Sequence, residues 1–107
     1  MSDEKLIKIE IERLHDFKQH PFHVNDDKEM ALLKESIKVL GILNPLIVRP
    51  TMDGVYEIIA GHRRKYAAEQ LGYQKLPVII RVMNDDEARL LQRREETARN
   101  RFKDISR

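Results

Sequence analysis

The chain has 107 residues, 41% hydrophobic and 36% charged with 6% aromatic, which suits one small, highly charged domain with a single modest core and is too apolar for full disorder. It contains no cysteine, which excludes disulfides, thiolate metal sites and thiol chemistry. The net charge of +2 conceals an asymmetry: residues 89–107 carry seven Lys/Arg against three Asp/Glu, a balance of +4, and residues 1–88 carry 13 against 15, a balance of −2.

The N-terminal "MSDEKLIKIEIE" is too charged for a signal peptide, and no apolar run is long enough to span a membrane, so a cytoplasmic setting is expected. "LIKIEI" alternates and predicts a half-buried strand, with Ile7, Ile9 and Ile11 on its inner side. "DFKQHPFHVNDD" reads as a loop. Asp26, followed by Glu29, predicts the start of a helix that runs to Leu40, with an apolar stripe of Met30, Leu33, Ile37 and Leu40. Gly41 is placed to end it. "PLIVRP" and "VYEIIA" predict two strands joined by a turn at Asp53 and Gly54. A helix follows in "GHRRKYAAEQLG", with Tyr66, Ala67 and Leu71 facing the core. "LPVIIRV" predicts a buried strand, and "NDDEA" opens a last helix with a thin apolar stripe through Ala88, Leu91, Ala98 and Phe102 and a charged middle, "QRREE". The order β-α-β-β-α-β-α predicts an α+β domain with a small mixed sheet. The chain divides into a core over residues 1–88 and a basic C-terminal helix over residues 89–107.

Arg63 and Arg64 pose the chemical question. The first turn of a helix already carries partial positive charge, so two cations there cost stability unless an anion joins them. Gly61 permits a tight turn and close approach of a ligand, and the amides that follow point along the helix axis. Together with two guanidinium groups this makes a phosphate cradle. A pair of surface arginines on a helix that ends in glycine explains the same residues, and spacing alone leaves both readings open. The P-loop pattern is absent. His20, His23 and His62 are read as histidines without metal, since zinc needs three or four ligands and no cysteine is available.

The string "ESIKVLGILNPLIVRP", the string "YEIIAGHRRKYAAEQLG" with its G-[EH]-R-R-x-x-A signature, and "LPVIIRVMNDDEA" occur in the order found in the N-terminal domain of ParB-type DNA-partition proteins. As a set, over about residues 6–99, they identify the chain as resembling that family and its ParB/sulfiredoxin fold. The resemblance implies a domain that binds CTP with Mg2+ and self-associates into a homodimer when the nucleotide is bound. Hydrolysis would be slow at most and serve as a switch. It further implies action on DNA at the nucleoid, with a ParA-type ATPase as a further partner. Carried over by position, Gly61, His62, Arg63 and Arg64 are phosphate contacts. A first nucleotide box falls on His20, Pro21, Phe22 and His23, with Val24 and Asn25 where the family has proline and arginine. Glu95 and Glu96 fall near the metal, Glu96 replacing an asparagine, with Arg99 fitting the same box. Arg93, Arg94, Arg99 and Arg101 are candidate DNA contacts on the basic helix. Sulfiredoxin chemistry is excluded, because His62 occupies its cysteine position. Family members continue into a helix-turn-helix domain, so the chain is expected to be a piece of a longer protein or a stand-alone relative. Two alternatives stand beside this reading. One is a nucleotide-dependent enzyme, a nuclease or small-molecule kinase, with Glu57 or Asp53 adding to Glu95 and Glu96 as metal ligands. The other is an interaction module that binds no nucleotide.

Overall fold

The computed structural model describes residues 5–16, 27–42 and 44–94. Strand β1 (Lys5–Glu10) is followed by a single 3-10 turn and a three-residue strand β2 (Leu14–Asp16). Helix α1 (Lys28–Leu40) leads to β3 (Leu46–Pro50) and β4 (Tyr56–Ala60), then helix α2 (His62–Gln70) and β5 (Lys75–Ile80). Residues 85–94 form the described part of helix α3. The five strands make one mixed sheet in the order β1-β5-β3-β4-β2. β1 runs antiparallel to β5, β5 parallel to β3, β3 antiparallel to β4, and β4 parallel to β2. The expected α+β fold and mixed sheet are therefore present, with β2 as an addition. "LHD" is too short to alternate, and its partner, β4, lies some forty residues further along the chain, as in the Leu14↔Tyr56 pairing.

Strand alternation sorts the sheet into two faces. Ile9, Leu46, Val48, Ile58, Leu76 and Val78 point to one face and form the main core with Ile11, Leu14 and Ala68 of α2. On that side α1 packs on α2 through Met30, Ile37 and Ala67, with Leu33, Tyr66 and Leu71 beside them. The opposite face carries Ile47 and Ile59, which α3 covers with Ala88 and Leu91. The molecule is thus three layers, α1 and α2, then the sheet, then α3.

Helix ends follow capping chemistry. The cap of α1 is Asp27, one residue beyond the expected Asp26, which lies outside the described residues; its carboxylate accepts the Met30 amide at 3.1 Å. Gly41 ends α1 with φ of +79°. Asn84 and Glu87 exchange side-chain to backbone bonds of 2.8 and 2.9 Å, a reciprocal capping box that starts α3.

Three expectations are corrected. Ile7 is 42% exposed, on an edge strand and outside the core cluster that Ile9 joins. Leu40 is 60% exposed, since the last turn of α1 has passed the contact with α2. Gln92, read within the charged middle of α3, is 1% exposed beneath that helix. The expected long basic helix is helical through residue 94, and Ala98 and Phe102 lie outside the described residues. No helix among the described residues is long and apolar enough to cross a membrane.

Candidate anion-binding site

β4 ends in a fully buried run, Ile58, Ile59 and Ala60, which fixes the chain before it turns. Gly61 makes the turn in the left-handed region, with φ of +104° and ψ of 19°. A Cβ built there would lie 2.7 Å from Leu46 Cγ, 3.3 Å from Leu46 Cα and 3.1 Å from Arg64 Nη2. Both dihedral and space therefore require glycine. α2 starts at once, and its first bond runs from the Lys65 amide to the Gly61 carbonyl at 3.0 Å. The amides of residues 62–64 precede that ladder and line the positive end of the helix. No acidic residue of α2 stands in this first turn.

The three side chains that follow Gly61 diverge. His62 is 7% exposed, with Nε2 3.9 Å from Asp16 Oδ1 at the end of β2, an ion pair only when the imidazole is protonated. Arg63 Nη2 is 3.8 Å from Asp27 Oδ1, the cap of α1. Arg64 Nη2 donates to the Pro45 carbonyl at 3.2 Å, so this guanidinium lies across the entry to β3. On the outer side, Lys65 pairs with Glu69 one turn on, and Lys34 of α1 lies over the Tyr66 ring at 5.7 Å. The local ensemble is a helix terminus, a glycine with no room for a side chain, Arg63 and His62 facing carboxylates on other elements, and Arg64 on a backbone carbonyl.

A second polar cluster sits on the opposite face of the sheet, beneath α3. Arg49 and Glu57 are directly paired across β3 and β4, and both are 9% exposed. Arg49 bonds Glu57 Oε1 through Nε at 2.9 Å and Nη2 at 2.8 Å, reaches Asp85 Oδ1 at 2.7 Å, and donates from Nη1 to the Met83 carbonyl at 3.3 Å. Burial opposes its charge, but the bonds to Asp85 and Glu57 outweigh that and raise its pKa above the ordinary arginine value. The start of α3 is thereby pinned to the sheet beside an open cavity of about 650 Å³ lined by Arg49, Met83, Asn84, Asp85, Asp86 and Arg89.

Of the residues singled out in the sequence, Gly61, His62, Arg63 and Arg64 come together at one helix terminus. Arg93 and Arg94 are exposed on α3, in the layer across the sheet from that terminus. Glu57 is engaged by Arg49, and Asp53 sits in the β3–β4 turn, at the far end of β4 from Gly61. His20, Pro21, Phe22, His23, Glu95, Glu96, Arg99 and Arg101 lie outside the described residues. Sequence reasoning missed Asp16 and Asp27 as neighbours of the cradle. "NDD" pointed to a helix cap at Asp26, one residue early, and nothing local tied either carboxylate to α2.

The profile of the ParB N-terminal domain matches residues 1–97. The nucleoid occlusion protein of Bacillus thuringiensis (strain Al Hakam) is 39% identical over 101 residues, covering 89% of this chain and 35% of the relative. The chain thus spans about a third of the length of the curated relatives it matches. Among solved structures, the C-terminally truncated chromosome-partitioning protein ParB from Caulobacter crescentus complexed with CTP-gamma-S aligns with a TM-score of 0.73 at 30% identity, over 82% of this chain and 50% of that one. The same truncated protein complexed to the centromeric parS site aligns with a TM-score of 0.72 at 28% identity, over 84% and 46%.

Proposed function

The chain belongs to the ParB N-terminal domain family, and from that premise we propose that it binds a nucleoside triphosphate, CTP with Mg2+, at the N-terminus of α2. The observation that carries the reading is Gly61, held so close to Leu46 that a methyl group does not fit, at a helix terminus followed by two arginines. A cradle of backbone amides and guanidinium groups suits phosphate oxygens, and the similar Caulobacter structure holds a CTP analogue. In this reading the amides of residues 62–64 and the Arg63 and Arg64 guanidiniums hold the phosphates. His20, Pro21, Phe22 and His23 close the first box, and Glu95 and Glu96 face the metal, which neutralises phosphate charge.

Occupancy of the site favours self-association of two copies, so the nucleotide acts as a switch between arrangements. Residues 1–88 are the nucleotide-binding core and residues 89–107 a basic helix, although α3 straddles that border and its first turns pack on the sheet. Arg93, Arg94, Arg99 and Arg101 contact DNA through phosphate, without sequence preference and with strong salt dependence. The intact protein acts at the nucleoid in partition or nucleoid occlusion, with a ParA-type ATPase as a further partner. The enzyme alternative draws less support, because Glu57 is tied to Arg49 and Asp53 lies far from the cradle.

Isothermal titration with CTP, ATP and GTP, each with and without magnesium, tests the reading. The expected result is magnesium-dependent CTP binding that the Arg63→Ala, Arg64→Ala double variant loses. Preference for ATP would shift the assignment towards the enzyme. No binding at millimolar nucleotide would leave an interaction module.

A further inference from the structure

Two consecutive residues of the cradle face carboxylates that come from outside α2. His62 Nε2 is 3.9 Å from Asp16 Oδ1, and Arg63 Nη2 is 3.8 Å from Asp27 Oδ1. Asp16 ends β2 and Asp27 caps α1, so each is held by an element with other reasons to be where it is. Asp27 also accepts the Met30 amide. Both carboxylates are about half exposed, whereas the side chains they face are largely buried, with exposures of 5% for His62 and 16% for Arg63. The separations are longer than a tight ion pair, so each carboxylate faces its partner without closing on it.

Resting on the nucleotide reading above, we propose that Asp16 and Asp27 are specificity-determining residues that act as built-in competitors for the cradle and set a charge threshold for its ligand. An incoming phosphate must take Arg63 from Asp27 and His62 from Asp16, and its own charge is repelled by both carboxylates. A single phosphate supplies too few contacts to offset that. A polyphosphate brings additional oxygens to the amides and to both arginines, and a divalent cation travelling with it screens the carboxylates. The site therefore selects a metal-bound polyphosphate over orthophosphate or other small anions. Asp27 is the stronger member, because Arg63 keeps its charge at every pH whereas His62 is cationic only when protonated.

The test uses the 107-residue chain and two simple probes, orthophosphate and inorganic tripolyphosphate, titrated calorimetrically with and without magnesium. Asn replaces Asp in each variant, because asparagine caps a helix about as well and leaves α1 intact. For Asp27→Asn, magnesium-free affinity for both probes is expected to rise roughly two- to fivefold, the range set by exposed ion pairs. Asp16→Asn gives a smaller gain, and the double variant narrows the preference for tripolyphosphate over orthophosphate. Melting temperatures stay close to the parent's, which separates the effect from a folding defect. Unchanged or weakened anion affinity in Asp27→Asn with an unchanged melting temperature overturns the proposal while leaving the nucleotide reading intact. If neither parent nor variants bind either probe, the cradle and the competition fail together. A gain of affinity is the decisive sign, since a residue with a merely structural role loses binding on substitution.

Discussion

At the scale of single residues, Gly61 is the described glycine with least room. Alanine there meets Leu46 at 2.7 Å and adopts a φ that side chains disfavour, so Gly61→Ala should cost about 1–3 kcal/mol in urea unfolding. The same change should abolish phosphate binding even at temperatures where the variant is folded. Arg49 makes the opposite case, a charge that matters because its partner cannot leave. Arg49→Ala strands Glu57 in a buried setting and should cost about 3–5 kcal/mol. The Arg49→Met, Glu57→Leu double variant removes both charges and should be markedly less damaging. Equal losses in the two, read from denaturation midpoints, would show that packing rather than charge burial is at stake. Glu10 responds to acid. Its carboxyl is held below its ordinary value, first by a backbone hydrogen bond and then by Arg13. A lowered folded pKa means that its contribution is present above the ordinary carboxylate range and is lost as pH falls through the folded value. Glu10→Gln should therefore flatten the acid limb of the stability curve.

At the scale of elements, α3 is the layer with the smallest apolar hold on the sheet. Its buried contacts centre on Ala88 against Ile59, with Leu91 and Met83 beside them. Capping and ion pairing supply much of the rest. Asn84→Ala removes one half of the capping box and should cost roughly 1 kcal/mol. Hydrogen exchange should quicken at residues 87–91 while β3 and β5 stay protected; equal acceleration throughout would mean that α3 is no separate unit. The helices and four of the strands were legible because each carried periodicity or a boundary signal, as Gly41 and Gly72 did at helix ends. β2 was not, since a three-residue strand has no period and draws its order from β4. The exposure of Leu40 was equally hidden, because a stripe along α1 does not say where α2 ceases to cover it. At the site, Gly61 to Arg64 could be found from local chemistry. Asp16 and Asp27 could not, because their closeness to α2 arises from tertiary packing, and the Arg49–Glu57 pair needed the β3–β4 register.

For the whole molecule, the layering separates two chemistries. Gly61 and its arginines belong to the side of α1 and α2, and Arg49 with the root of α3 to the other. β3 and β4 run between the two clusters, with Arg49 and Glu57 near one end and Leu46 and Gly61 at the other. Sheet order carries a consequence for how the chain is made. Lys5 pairs with Ile80 and Glu10 with Lys75, so the first strand docks on the last one synthesised, and β5 is what joins it to β3. During translation β1 emerges early and waits, while the hairpin of β3 and β4 forms from neighbours in sequence. Until residue 80 leaves the ribosome, Ile9 and the apolar edge of β3 have no cover. Substitutions in β1 should therefore reveal themselves as lost yield and aggregation of newly made chains before they register in the melting temperature of molecules that have already folded.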